Sequence, residues 1–295
     1  MLKIRAYHRP KRIEEAIQLL AEPDAGRTVI AGGTDLLVNP RYMVGVREVI
    51  DVRDLGLADI AEGGQPSMIV IGASATMRQV ARSSLVQALA DGILARGAAV
   101  CGSPNIRNMA TLGGNTASAL PSADTPPSLL ALDAQVELAG PAGRRILLLA
   151  EFFTGPAQTV RQPGEIIIAF HLPGSAPGTR GGFYKIGRTA EDISMVNAAV
   201  TITIRAGAIN HARIALGAVA PTPLRARAAE ALLEGQPPTE DVLQQAAARA
   251  AEETRPISDQ RASADYRRRM SAVATLRALR QAAGLATHPE EWHHA

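Results

Sequence analysis

Two glycine pairs set the tightest limit on the fold: Gly32-Gly33 in "TVIAGGTDLL" and Gly113-Gly114 in "MATLGGNTAS". Each follows an apolar approach and precedes small polar residues, Thr34 and Asp35 in one case, Asn115 and Thr116 in the other. Residues without Cβ let consecutive backbone N–H groups converge into a concavity that holds anionic oxygen without a lysine or arginine. A helix start behind such a turn adds a favourable dipole. A Gly-Gly pair is also the ordinary mark of a tight turn. Neither pair fits G-x-G-x-x-G after a strand or G-x-x-x-x-G-K-[ST], which disfavours a Rossmann site and a P-loop. The residues alone leave two readings open: a two-loop site for a phosphate or dinucleotide, and a pair of plain turns.

Composition narrows the classes. A chain of 295 residues, 46% hydrophobic and 20% charged, can bury a large core and divide into two or three units. The net charge is only +3 and aromatics make up 3%, so neither a basic stripe nor a stacking platform for nucleic acid is present. The opening "MLKIRAYHRPKRIEEA" has no apolar leader pattern, and no run approaches the roughly 18 apolar residues of a membrane span, so a cytoplasmic location is expected. One cysteine, Cys101, excludes an internal disulfide and any Cys-ligated cluster held by this chain alone.

Periodicity predicts an α+β chain in three parts. "RIEEAIQLLAE" places Ile13, Ala16, Ile17 and Leu20 at helical spacing, and "GRTVI" and "REVIDV" read as short strands. "SMIVIGA" reads as a buried strand and "SLVQALADGILARGAAV" as one helix with an apolar stripe. "PGSAPGTRGG" is the best linker candidate. Beyond it, Val200, Ile202 and Ile204 alternate with Thr201, Thr203 and Arg205, a second strand follows the Ala206-Gly207 turn, and helices close the chain, the last ended by Gly284. The expected units are 1–55, 56–176 and 177–285, with a tail at 286–295.

Four segments in order, "AGGTDLL", "IRNMATLGGNTASALPSADTPP", "FYKIGRTAEDISMVNAAV" and "IALGAVAPTPLRARAAE", resemble the FAD-binding medium subunits of molybdenum hydroxylases, the family of the xanthine dehydrogenase and carbon monoxide dehydrogenase flavoproteins. The resemblance spans nearly the whole chain. It implies a two-part FAD-binding domain of the PCMH type, followed by a C-terminal α+β domain of the CO dehydrogenase flavoprotein type. It also implies that Ala31, Gly32, Gly33, Thr34 and Asp35, with Thr111, Leu112, Gly113, Gly114 and Asn115, clasp the FAD pyrophosphate, and that Val29, Ile30 and Leu36 also bind the cofactor.

By the same resemblance, Asp124 hydrogen-bonds the flavin, Ile167 packs on the isoalloxazine, Lys185 stands near the ring, and Tyr184 stacks beside it. Each has a plainer reading: Asp124 as a helix N-cap, Ile167 as strand core, Lys185 as a solvated strand lysine. Arg188 and Asp192 are spaced for an i,i+4 ion pair if helical. Arg267, Arg268 and Arg269 read as a solvated helix face, Cys101 as a small core residue, and His288, His293 and His294 as part of a tail. No histidine stands in the first loop, so FAD is expected to be non-covalent.

The resemblance implies an oxidoreductase subunit without catalytic acid or base residues and without metal ligands. A molybdenum-containing large subunit oxidises substrate, a small subunit with two [2Fe–2S] clusters relays electrons, and FAD here passes them to an external electron acceptor, in a heterotrimer or a dimer of heterotrimers. Two alternatives stand beside it: a self-contained FAD-dependent oxidoreductase acting on a small molecule, and a non-catalytic nucleotide-binding scaffold subunit.

Overall fold

The computed structural model describes residues 4–23, 26–64 and 67–285. The tail and its three histidines lie outside the described residues. The first unit is built on β1 (Ala6–His8), α1 (Ile13–Ala21), β2 (Arg27–Ile30) and β3 (Glu48–Asp51), its parallel sheet ordered β1-β3-β2. The stripe predicted on α1 is the face it buries: Ile13, Ala16, Ile17 and Leu20 pack against Ile50, Val52 and Leu55. Asp51 is almost wholly buried and accepts hydrogen bonds from the Tyr7 hydroxyl and from Arg53, whose Nη2 lies 2.6 Å away.

Burial alone would raise the Asp51 carboxyl, but the Arg53 and Tyr7 hydrogen bonds outweigh it and hold it at about 2, against an ordinary 3.8. A value depressed on folding contributes stability that is present above the unfolded value and is lost as pH falls from about 4 toward 2. Asp51→Asn is therefore expected to flatten the loss of urea midpoint across that window, leaving the part due to Asp259, also held at about 2. A wild-type acid profile in the variant would refute this.

The second unit contains β4 (Ile60–Glu62), β5 (Ile69–Gly72), α2 (Met77–Arg82), α3 (Ser84–Ala88), α4 (Ile93–Ala99), α5 (Pro104–Met109), α6 (Leu112–Ala117) and α7 (Pro126–Ala131). It continues through β6 (Gln135–Gly140), β7 (Gly143–Leu148), the small pair β8 (Phe153–Gly155) and β9 (Gln158–Thr159), and β10 (Ile166–Leu172). Its antiparallel sheet runs β4-β5-β10-β6-β7. β10 sits at the centre, and its unbroken apolar run "IIIAF" is buried on both faces. Ile167 and Phe170 join the helices of this unit, whereas Ile166 and Ile168 complete the core of the first.

The single helix expected over "SLVQALADGILARGAAV" is two, α3 and α4. Ala90, Asp91 and Gly92 all take left-handed conformations (φ 45°, 54° and 74°), which reverses the chain inside an apolar pattern that periodicity reads as continuous. The turn is held from outside: Asp91 pairs with Arg180 at 3.0 Å and Ala90 N–H donates to Ser175 Oγ.

The third unit is the antiparallel sheet β11 (Thr179–Ile186), β12 (Val196–Arg205), β13 (Ala208–Gly217) and β14 (Leu224–Arg225), in that order, covered by α8 (Arg227–Leu233), α9 (Glu240–Glu252) and α10 (Ala264–Ala283). The Ala206-Gly207 turn joins β12 to β13 with both residues at positive φ, and Gly284 ends α10 in the left-handed cap. The expectations for the linker and for Arg267 are corrected. The proposed linker ends before Gly181 and Gly182, which are strand residues pressed against the Ala90 and Ala278 carbonyls, where a Cβ would lie 2.3 and 1.9 Å away. The Thr face of β12 is covered by α7, with Thr201 Oγ1 donating to the Ala131 carbonyl at 3.0 Å. Arg267 is also buried on α10 and donates to the Met195 and Ala218 carbonyls, while Arg268 and Arg269 face outward.

Candidate functional site

A cavity of about 880 Å³ opens among the described residues where the three units meet. One wall is the first glycine segment, from Val29 through Leu36; a second carries Thr111, Gly113, Gly114 and Asn115; Asp124 and Ile167 also line it. Leu112 and Lys185 do not: Leu112 is wholly buried in the core, and Lys185 reaches the site only through its partner. Tyr184 also lies away from the cavity, packed under the Arg277 guanidinium and bonded to it through its hydroxyl.

The two glycine segments do different jobs. Gly33 has φ 69° and starts a helical turn in which Leu37 N–H donates to the Gly33 carbonyl at 3.0 Å. The N–H groups of Gly32, Gly33, Thr34, Asp35 and Leu36 donate to no chain group among the described residues. A row of unpartnered amides at a turn start is an anion cradle. In the second segment the amides are occupied: Leu112 donates to Ala75, Gly113 to Ala73, Gly114 to Thr111 Oγ1 and Asn115 to the Thr111 carbonyl. The expectation of two equivalent nests is corrected on this point, because the second segment hydrogen-bonds to the β5–α2 connection and caps its own helix.

Glycine is required for packing as well as for reach. A Cβ on Gly32 would lie 1.9 Å from the Met109 carbonyl oxygen, and one on Gly113 would lie 2.6 Å from that of Ala73. Ser118 Oγ ties the segments together by donating to Asp35 Oδ2 at 2.7 Å. What the second segment offers the cavity is side-chain chemistry: Asn115 Oδ1 accepts from Thr125 Oγ1 at 2.6 Å, which turns its amide donor outward from that bond.

Asp124 caps no helix; α7 starts after Thr125 without a side-chain cap. Its carboxylate is the hub of a buried network, accepting from Lys185 Nζ at 3.0 Å, Ser194 Oγ at 2.5 Å and Asn197 Nδ2 at 3.3 Å. Burial pushes this carboxyl up, and the Lys185 charge is the main opposing influence. Lys185 is no solvated strand lysine: its second bond is to the Val100 carbonyl at 2.8 Å. Cys101 lines the cavity with its thiol pushed up to about 12, by burial first and by the Asp124 charge second, so it is a poor nucleophile. Arg188 and Asp192 do pair, at 3.2 Å, but across a turn rather than along a helix.

Several lining residues carried no sequence signal. Ser74 Oγ is buried without a hydrogen-bond partner among the described residues, as is Arg161 Nε. Tyr42 is the one aromatic residue among the described lining residues. Orphaned buried donors and a row of open amides facing one cavity fit a ligand with several anionic and polar oxygens.

Residues 2–175 match the family described as FAD binding domain in molybdopterin dehydrogenase, and residues 182–282 the CO dehydrogenase flavoprotein C-terminal domain. The carbon monoxide dehydrogenase medium chain of Hydrogenophaga pseudoflava is 32% identical over 283 residues, covering 94% of this chain and 96% of that one. The xanthine dehydrogenase FAD-binding subunit of Escherichia coli O157:H7 is 30% identical over 293 residues, covering 97% and 98%. A solved carbon monoxide dehydrogenase from Hydrogenophaga pseudoflava superposes with a TM-score of 0.90 at 34% identity, over 97% of this chain and 100% of that chain.

Proposed function

We propose a function from one premise: the chain belongs to the family of the FAD-binding domain in molybdopterin dehydrogenase. In this reading it is the flavoprotein subunit of a molybdenum-containing oxidoreductase complex. The observation that carries it is the cavity of about 880 Å³ lined by Gly32 to Leu36, whose backbone amides donate to no chain group among the described residues. That combination suits a dinucleotide: charge-binding donors for a diphosphate, in a cavity large enough for a bulky cofactor.

Residues 32–36 would hold the pyrophosphate, with Ser74 and Asn115 as further donors. Asp124 and Ile167 would face the ring system, with Lys185 fixing the Asp124 carboxylate from behind. FAD, when bound, supplies the capacity to accept electrons from a one-electron relay and to deliver them singly or in pairs. The chain's part is to bind it, orient it and exclude water. The inert Cys101 thiol and a lining without histidine, among the described residues, favour non-covalent attachment.

The proposal extends to the assembly. A molybdenum-containing large subunit and a [2Fe–2S] small subunit feed electrons in, and an external acceptor takes them out, in a cytoplasmic heterotrimer or pair of heterotrimers. No helix among the described residues is long and apolar enough to cross a membrane.

The test is the visible spectrum of the full chain, alone and with its partners. Expected is a yellow protein that releases intact FAD on denaturation and bleaches anaerobically with substrate only when both partner subunits are present. A colourless chain that takes up no FAD overturns the reading, and bleaching by a small substrate without partners replaces it with a self-contained oxidoreductase.

A further inference from the structure

We infer that Ser194 and Asn197 are positioning residues that keep the buried Asp124 ionised, with Oδ2 as its one incompletely used oxygen. The network stands on its own geometry; only its effect on a bound flavin rests on the function proposed above.

Asp124 belongs to the second unit, and all three of its donors come from the third. Lys185 and Asn197 are cross-strand partners on β11 and β12, and Ser194 lies just before β12. Ser194 and Asn197 are wholly buried and line no part of the cavity, whereas Asp124 does. Any influence of the two residues on the cavity therefore passes through the carboxylate.

The two oxygens of that carboxylate are used unequally. Oδ1 accepts from Ser194 Oγ at 2.5 Å and from Asn197 Nδ2 at 3.3 Å, and Oδ2 accepts from Lys185 Nζ at 3.0 Å. A carboxylate oxygen has about two acceptor places, so Oδ1 is filled and Oδ2 has one left. Asn197 Nδ2 also donates to Ser194 Oγ at 3.2 Å, which polarises the hydroxyl that donates to Asp124.

The fold fixes the orientation of Asn197. Its Nδ2 meets the Ala123 carbonyl as well as Asp124, so the reversed amide would set an oxygen against two acceptors. Its Oδ1 is buried without a hydrogen-bond partner among the described residues and lies where a Cβ on Gly217, its neighbour on β13, would come within 2.1 Å. Glycine at 217 is thus what lets the amide stand as it does.

The charged groups around Asp124 are few. Lys185 is its ion-pair partner, and the thiol of Cys101, pushed up to about 12, keeps its proton. Burial pushes the Asp124 carboxyl up; the Lys185 charge opposes this most, followed by the Ser194 hydrogen bond, and Asn197 adds to them. A hydrogen bond to a charged acceptor is worth more than one to a neutral acceptor, so losing Ser194 costs more when Asp124 is ionised than when it is protonated.

The test is chemical unfolding of the full chain, stripped of cofactor, at pH 8 and pH 5. Ser194→Ala should lose about tenfold in the folding equilibrium at pH 8 and clearly less at pH 5. Gly217→Ala, which displaces the Asn197 amide without removing a donor, should change in the same direction. In an Asp124→Asn background the loss from Ser194→Ala should be small and independent of pH. An equal loss at both pH values, or a pH-dependent loss that persists without the Asp124 carboxylate, overturns the inference and leaves the network a plain joint between units.

A redox titration of the flavin-loaded chain supplies the second arm. A carboxylate opposes electron uptake by a nearby ring and a protonated acid does not. Ser194→Ala should therefore raise the flavin midpoint potential above wild type, and more at pH 6 than at pH 8. A potential that does not move overturns the link to the flavin, and a chain that takes up no flavin overturns the proposed function; in both cases the unfolding arm still decides the role of Ser194 and Asn197.

Discussion

A chain carrying Gly32→Ala is expected to purify colourless, with its helical content intact. The new methyl would lie 1.9 Å from the Met109 carbonyl oxygen and 2.6 Å from its carbon, both backbone atoms that no rotamer change can move. The first glycine segment must then lift away from the end of α5, carrying the amides of Gly32 to Leu36 with it. Forced overpacking costs about 1–3 kcal/mol or more. The same displacement separates the cradle from the wall held by Ser118, so FAD affinity should fall on the order of 100-fold, or about 2.8 kcal/mol. Gly64→Ala is the control, since a Cβ there meets nothing within 4 Å. Flavin content in Gly32→Ala equal to that of Gly64→Ala would refute the close-approach argument.

The second large effect is expected at Lys185→Met. Lys185 and Asp124 form an ion pair at 3.0 Å with side chains 2% and 8% exposed. Removing one partner of a buried pair strands the other charge, which costs about 3–5 kcal/mol. Ser194 and Asn197 still donate to the carboxylate, so the loss should sit toward the lower end.

The pH dependence of that loss has a definite sign. Without the Lys185 charge the Asp124 carboxyl, already pushed up by burial, rises further. A value raised on folding favours the protonated folded state, so Lys185→Met should regain stability as pH is lowered toward 5, relative to wild type. Chemical unfolding of the cofactor-free chain at pH 8 and pH 5 reads this directly. A pH-independent loss, or one below about 1 kcal/mol, would argue that the pair is not structural. Lys185→Met combined with Asp124→Leu should recover part of the stability and none of the flavin binding.

Much of this molecule was legible in its sequence, for identifiable reasons. α1 follows from Ile13, Ala16, Ile17 and Leu20, because a surface helix has one face to bury. The β12–β13 hairpin follows from the Ala206-Gly207 turn and strict alternation. The order of the four motif segments was carried by resemblance rather than by periodicity. The failures are also instructive. The reversal at Ala90–Gly92 leaves no mark in an apolar stripe, since its left-handed conformations are imposed by Arg180 and Ser175 from a distant segment. Arg267 reads as solvated beside Arg268 and Arg269, yet it is buried and donates to the Met195 and Ala218 carbonyls.

The candidate site divides along the same line. Gly33 is legible as a turn residue, but the need for glycine at 32 and 113 comes from backbone that arrives from elsewhere in the chain. Ser74 and Arg161 are unremarkable in "GASAT" and "TVRQPGE". Only the fold sets their unpartnered atoms beside a cavity.

The placement of β10 bears on how the polypeptide assembles as it leaves the ribosome. Ile166 and Ile168 close the hydrophobic interior begun by Ala16 and Ile50, so the amino-terminal fifth of the chain cannot finish burying its apolar side until synthesis has passed the second sheet. Such long-range closure slows folding and leaves a sticky, half-built intermediate exposed meanwhile. Nascent chains halted before this strand would therefore be the natural clients of a chaperone, and an isolated amino-terminal fragment would have no finished interior of its own.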